Sequence, residues 1–194
     1  GRILKDKTRE IAEDLDLNVA DKPDSQDICF VPNGDYSSVI KKFRPDSFKK
    51  GNIKNLDGKV VGVHDGIINF TIGQRKGIKV SDKEALYVIN IDAENNEIIV
   101  GQGHEHPLLL KDGLVAHDMH WISDKDPKTN WVYAAKTRYR QIDAPCEIDE
   151  INNKEFDVLF GQKQWAITPG QSVVIYESNT CLGGGVIKET INNE

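Results

Sequence analysis

Cysteine is scarce in this chain of 194 residues: Cys29, Cys146 and Cys181 are its three thiols, widely spaced and without a CxxC pair. An odd, scattered set argues against a disulfide framework and for a reducing compartment, so a cytoplasmic location is expected. No apolar run approaches the ~20 residues that a membrane-spanning helix needs, which argues against a membrane role. The Walker pattern GxxxxGK[ST] is missing, and the run Gly183-Gly184-Gly185 does not extend to GxGxxG. A nucleotide loop is therefore not expected in these residues. Methionine occurs once, as Met119, so Gly1 is not expected to be a natural translation start, and the chain is expected to be a piece of something longer or a processed product. Histidines are few. His104 and His106 form an HxH, and His117 and His120 are three apart, on opposite faces if that segment is a strand. No metal site is expected from them.

What is present is ordinary in bulk and uneven in detail. Hydrophobic residues make up 38% and charged residues 29%, enough to bury a sizeable core. The net charge of -6 disfavours a nucleic-acid partner on a global count. The cations are clustered, however. Lys41, Lys42, Arg44, Lys49, Lys50 and Lys54 face the single acid Asp46 within residues 41–54, and Lys136, Arg138 and Arg140 form a second group.

Periodicity divides the chain in three. Residues 3–17 carry Leu4, Ile11 and Leu15 near one helical face, and Pro23 marks a break after them. A second short helix follows the turn at Pro32-Asn33-Gly34-Asp35, with Tyr36, Val39, Ile40 and Phe43 as its apolar side, and Pro45 stops it. Residues 1–45 thus read as the helical trailing edge of an α/β unit. Residues 46–111 read as a small central β domain of about five short strands, at 51–56, 59–64, 67–72, 87–92 and 97–100, with Asp-Gly and Asn-Asn turns between them. Residues 112–194 hold six or seven further strands joined by turns, with long candidates at 114–121 and 131–141 and shorter ones including 165–168, 172–176 and 182–187. The predicted fold is mainly β with a short helical N-terminal segment: a small central β domain followed by a C-terminal β-barrel.

Several stretches could carry chemistry. Cys29 sits between an acidic-polar run and a short apolar run closed by Pro32, as either a small core residue or a nucleophile. In the predicted strand 131–141, alternation puts Lys136, Arg138 and Arg140 on one face, about 7 Å apart. That spacing suits either an RNA backbone or a solvated strand face. Residues 71–78 run from a strand into a two-glycine loop carrying Arg75 and Lys76, which could hold a phosphate or form a plain tight turn. Thr168-Pro169-Gly170-Gln171 reads as a turn that leaves the Gln171 amide at a strand start, where it could bond a base or phosphate. The triple glycine predicts a bulge or a close backbone approach.

Taken together and in order, these motifs resemble one family. They are Asp24-Ser25-Gln26-Asp27-Ile28-Cys29-Phe30, Thr71-Ile72-Gly73-Gln74-Arg75-Lys76-Gly77, Gly103-His104-Glu105-His106-Pro107, Lys136-Thr137-Arg138-Tyr139-Arg140-Gln141, Thr168-Pro169-Gly170-Gln171-Ser172 and Cys181-Leu182-Gly183-Gly184-Gly185. The chain is similar, essentially from end to end, to the C-terminal half of bacterial-type tRNA-specific 2-thiouridylases of the PP-loop ATPase family.

The resemblance implies an enzyme that places sulfur on C2 of the wobble uridine of certain tRNAs. ATP and Mg²⁺, bound by an N-terminal domain that these residues lack, would adenylate the C2 oxygen. A cysteine persulfide, loaded by a sulfur-relay partner, would then deliver sulfur to that carbon. Cys29 matches the persulfide position, whereas Cys146 and Cys181 do not match the family's second cysteine. Arg138, Tyr139 and Gln171 match tRNA-contacting positions. Lys136, Arg140, Arg75 and Lys76 are added on charge and context alone. The expectation is a monomeric tRNA-binding part of a sulfurtransferase, inactive by itself. The alternatives are a stand-alone RNA-binding module or a scaffold that holds Cys29.

Overall fold

The computed structural model describes residues 3–18, 20, 36–122, 128, 131–139, 141–152 and 155–192. These fall into two compact units, Gly1–Pro45 and Asp46–Glu194. In the first, α1 (Lys5–Asp14) is shorter than the predicted 3–17, because Asp16 adopts a left-handed φ of 52° that turns the chain out of the helix. None of its side chains is buried, and Leu4 and Leu15 flank it exposed. The second helix, α2 (Tyr36–Phe43), ends just before Pro45 as the spacing predicts. The cysteine loop around Cys29 lies outside the described residues.

The second unit opens with a four-stranded sheet: β1 (Gly51–Asn55), β2 (Val60–His64), β3 (Leu86–Asp92) and β4 (Glu97–Gln102), in the order β2-β1-β4-β3. Two antiparallel hairpins, β1–β2 and β3–β4, meet through a parallel pairing of β1 with β4, from Asn52↔Glu97 to Asn55↔Val100. Ile53, Val88, Ile98 and Val100 are fully buried at its centre. Each such side chain contributes about 1.5–3 kcal/mol by leaving water.

The predicted strand at 67–72 is not one. Residues Ile67–Asn69 form a 3-10 turn, and the loop after it is held largely by a side chain. The Gln74 Oε1 accepts from the Thr71 amide at 3.0 Å, and its Nε2 donates to the carbonyls of Asn69 and Lys76 at 3.1 and 2.9 Å. The glutamine satisfies three backbone groups of its own loop, and the Gly73 amide and Gln74 carbonyl exchange bonds with Val88 of β3 at 2.8 and 2.9 Å, a single contact and not a continuous ladder.

A closed barrel follows. Its strands are β5 (Leu110–Trp121), β6 (Tyr133–Lys136), β7 (Ala144–Asn152), β8 (Glu155–Trp165), β9 (Ser172–Glu177) and β10 (Thr180–Ile191), closing in the order β10-β5-β8-β7-β6-β9. Leu114, Val158, Val173, Ile175, Ile148 and Ile187 fill its interior. The predicted strand 165–168 is absent as a separate element: β8 runs to Trp165, and Ala166, at a left-handed φ of 51°, breaks the chain out of the sheet. The triple glycine allows close approach. A Cβ on Gly183 would strike the His120 carbonyl, one on Gly184 the Val173 carbonyl, and one on Gly185 the Met119 side chain, at a point where the β10 register slips.

Candidate RNA-binding cavity

The predicted long strand 131–141 stops at Lys136. Beyond it the Thr137 hydroxyl donates to Gln141 Oε1 at 2.8 Å, and the Gln141 amide donates to the Arg138 carbonyl at 3.2 Å, so the chain turns after Lys136. Side chain-to-turn bonds replace the ladder there. Alternation holds as far as the turn, since Tyr133, Ala135 and Thr137 are all buried. Tyr139 shares their parity but is 97% exposed, because the turn rotates it outward.

The turn sends Arg138 into the seam between sheet and barrel. Its Nη2 donates to the Ile72 carbonyl at 2.9 Å, the Ala166 carbonyl at 2.8 Å and the Thr168 hydroxyl at 3.3 Å. The guanidinium lies 5.2 Å from the Trp165 ring centroid. Trp165 donates to the His104 carbonyl at 2.7 Å and stacks on the His104 ring at 4.5 Å, while Tyr87 meets that ring edge-on. His104 is therefore part of the seam, and the His106 Nδ1 accepts from the Leu108 amide to cap a short turn. Burial lowers the Arg138 pKa from the usual guanidinium value, and its Nε is enclosed without a hydrogen-bond partner among the described residues. Gly73 makes the seam possible: a Cβ there would sit 2.7 Å from both the Ala166 Cβ and the Trp165 ring.

Beside the seam is an open cavity of about 560 Å³ on the outer face of the barrel. Lys136, Arg138, Tyr139 and Gln171, all selected from sequence, line it together. Pairing of β6 with β9 makes the floor, with Lys136 opposite Val174 and Ala134 opposite Tyr176. The turn 168–171 makes a rim that is stitched to β10: Gly170 donates to the Ile187 carbonyl, and Ile187 donates back to the Gln171 carbonyl, both at 2.8 Å. Among the described residues no acidic side chain lines the cavity, although the chain has 31 acids against 25 lysines and arginines.

The other selected residues are not brought there. Arg75 borders a separate depression shared with Asp82 and Glu84, and the Lys76 carbonyl serves the Gln74 staple. Arg140 and Cys29 lie outside the described residues. Cys146 is a core thiol on β7, 2% exposed, and burial pushes its pKa up to about 12; Cys181 is exposed on β10. Sequence reading missed Tyr176. Its outward position on β9 was legible from alternation, but its place beside Lys136 depends on a strand pairing that no local pattern announces.

Family models match three successive segments: residues 1–33 a "tRNA methyl transferase HUP domain", 37–102 a "tRNA methyl transferase PRC-barrel domain", and 111–187 an "Aminomethyltransferase beta-barrel domain". The class so defined is a three-part architecture, of which the second unit of this structure supplies the sheet and the barrel. Curated relatives share its full span. The tRNA-specific 2-thiouridylase MnmA of Methylobacillus flagellatus is 49% identical over 98% of this chain and 54% of its own length. That of Dechloromonas aromatica is 46% identical over 96% and 54%, and that of Haemophilus influenzae 43% over 98% and 51%. The chain belongs to the tRNA-specific 2-thiouridylase family, and it spans about half the length of the curated relatives it matches. Among the described residues no helix is long and apolar enough to cross a membrane.

Proposed function

We propose that this chain supplies the sulfur-carrying cysteine and a tRNA-binding surface for 2-thiolation of the wobble uridine. The observation that carries the RNA part is the convergence of Lys136, Tyr139 and Gln171 on one acid-free cavity from segments some thirty residues apart. A cation, an exposed aromatic and a free amide are the groups that grip a phosphate, stack on a base and read its edge. Arg138 belongs to the same wall, where its bonds to three backbone and hydroxyl oxygens make it the support of the turn that presents Tyr139.

Cys29 is the proposed persulfide carrier. Its thiolate takes the outer sulfur from a relay protein's persulfide, leaving that protein's thiolate. The terminal sulfur then bonds uracil C2 as the activated C2 oxygen leaves with its activating group, and a second thiol attacks the Cys29 sulfur, breaking the S–S bond so that sulfur stays on C2 and Cys29 ends in a disulfide. The described residues present no glycine-rich phosphate loop at a helix start and no cluster of metal-ligating side chains. ATP and Mg²⁺ thus have no fitting ligands among them, and the part proposed for this chain is limited to sulfur carriage and RNA binding.

The family descriptions speak of methyl transfer and the relatives' names of thiolation, and the two differ in the mass they add. In cells whose own thiolation gene is deleted, the parent gene of this chain should restore a nucleoside in which sulfur replaces oxygen, seen by mass spectrometry of digested tRNA. Cys29→Ser in that gene should abolish the product while tRNA binding persists. A methylated uridine, or undiminished thiolation by the serine variant, would refute the proposal.

A further inference from the structure

We infer that the cavity between β6, β9 and the two turns holds one unpaired nucleotide of the bound RNA, and that Tyr176 is the surface on which its base stacks. The inference rests on the RNA-binding reading above and adds to it a residue and a binding mode.

The geometry begins with the barrel's pleat. Along β9, Val173 and Ile175 point into the core, fully buried, so Val174 and Tyr176 face outward. On the neighbouring β6, Ala135 is inside and Ala134 and Lys136 are outside. An outward face of a barrel is usually polar; here Val174 and Tyr176 line the cavity beside Lys136. Ala134 opposite Tyr176 is a small residue that leaves the ring uncovered on that side.

The Lys136 ammonium lies 5.6 Å from the Tyr176 ring centroid and has no carboxylate partner among the described residues. A cation over a tyrosine face is a weak hold at an open site, about 0.5–1 kcal/mol. Its four-carbon stem lets the ammonium slide off the ring to a phosphate as a base takes its place. Stacking a base on an aromatic ring is stronger, about 1–3 kcal/mol, so the exchange is downhill. The volume of about 560 Å³ is in the ~300–1,000 Å³ range of small-ligand sites. Such a space takes a base whose face is free, which in RNA means one splayed out of a loop, since paired bases keep their faces stacked within the helix. Gln171 on the rim places an amide within reach of the base edge, and the exposed Tyr139 lines the same cavity.

The test uses this chain with a fluorescent stem-loop RNA and with a blunt duplex of the same stem. Tyr176→Thr removes the ring from an outward strand position that a β-branched residue suits, so the barrel has nothing to repack, and circular dichroism checks that it folds. Stem-loop affinity should fall about tenfold with duplex affinity unchanged, and Tyr176→Phe should keep the stem-loop affinity. A fluorescent base analogue in the loop should be quenched on binding the natural chain and not on binding Tyr176→Thr. Equal affinity of Tyr176→Thr and the natural chain for the stem-loop, or equal losses for stem-loop and duplex, would overturn the cavity assignment while leaving the RNA-binding reading in place. Absence of any stem-loop binding by the natural chain at low salt would overturn both.

Discussion

Arg138 and Trp165 are joined face to cation at 5.2 Å, and from that position the guanidinium bonds the Ile72 carbonyl of the sheet module and the Ala166 carbonyl of the barrel. One side chain thus ties the two modules of the second unit and fixes the turn that carries Tyr139. Replacing it by alanine takes a donor from both seam carbonyls; Ala166 keeps the Thr168 hydroxyl at 3.0 Å, and Ile72 does not have that substitute. Arg138→Ala should cost about 1–3 kcal/mol in denaturant unfolding. Lysine should not restore it in full, because its ammonium lacks the planar group that packs over the Trp165 ring. Equal stability of Arg138→Lys and the natural chain would contradict this account.

Gly73 is the seam's other requirement. Its φ of 81° and the 2.7 Å approach of Ala166 and Trp165 both exclude a side chain. Gly73→Ala should destabilise by about 1–3 kcal/mol or more. Gly58 is the control, with a similar φ of 79° and open space around it. Gly58→Ala should cost only the backbone part, on the order of 1 kcal/mol. Urea titrations of the two variants compare directly.

The described thiols should separate by reactivity. With its pKa raised to about 12 inside the barrel, Cys146 stays protonated and unreachable in the folded chain, whereas Cys181 is exposed. Iodoacetamide at mildly alkaline pH, followed by peptide mapping, should label Cys181 in the native protein and Cys146 only after denaturation.

Asp157 should make the barrel less stable at neutral pH. Desolvation, with Asp149 and Glu189 nearby, raises its pKa from the usual carboxylate value. Asp149 is its direct cross-strand partner. A raised folded pKa means that the folded state holds the proton more tightly than the unfolded one. Stability is then fullest when the group is protonated and falls as pH rises through the carboxylate range. Asp157→Asn should therefore raise the melting temperature at pH 7, and the gain should shrink as pH drops below that range.

Local patterns carried most of the architecture. The Asn95-Asn96 and Asp57-Gly58 turns marked two hairpins correctly, and strand-and-turn alternation in the last third announced the barrel. Where prediction failed, a side chain or a left-handed residue overrode the strand pattern: Gln74 stapling 69–76, Ala166 ending β8, and Thr137 with Gln141 turning the chain after Lys136. The site was legible in part. Cation clustering found Lys136, and the Pro-Gly turn found Gln171. Their convergence, and Tyr176 beside them, required the β6–β9 pairing across some forty residues.

The parallel joint between β1 and β4 implies an order of folding. The hairpins Gly51–His64 and Leu86–Gln102 each close locally, which takes roughly 1–10 μs. Bringing β1 to β4 requires the intervening loop to close first, a non-local step with an entropic penalty. Asn96, at the tip of the second hairpin, is the receiving point: its Nδ2 donates to the Lys49 and Lys50 carbonyls, and its own carbonyl meets His64 Nε2 at 3.1 Å. The same asparagine that turns one hairpin thereby holds the other, so docking at this corner should be the slower step in assembling the central sheet.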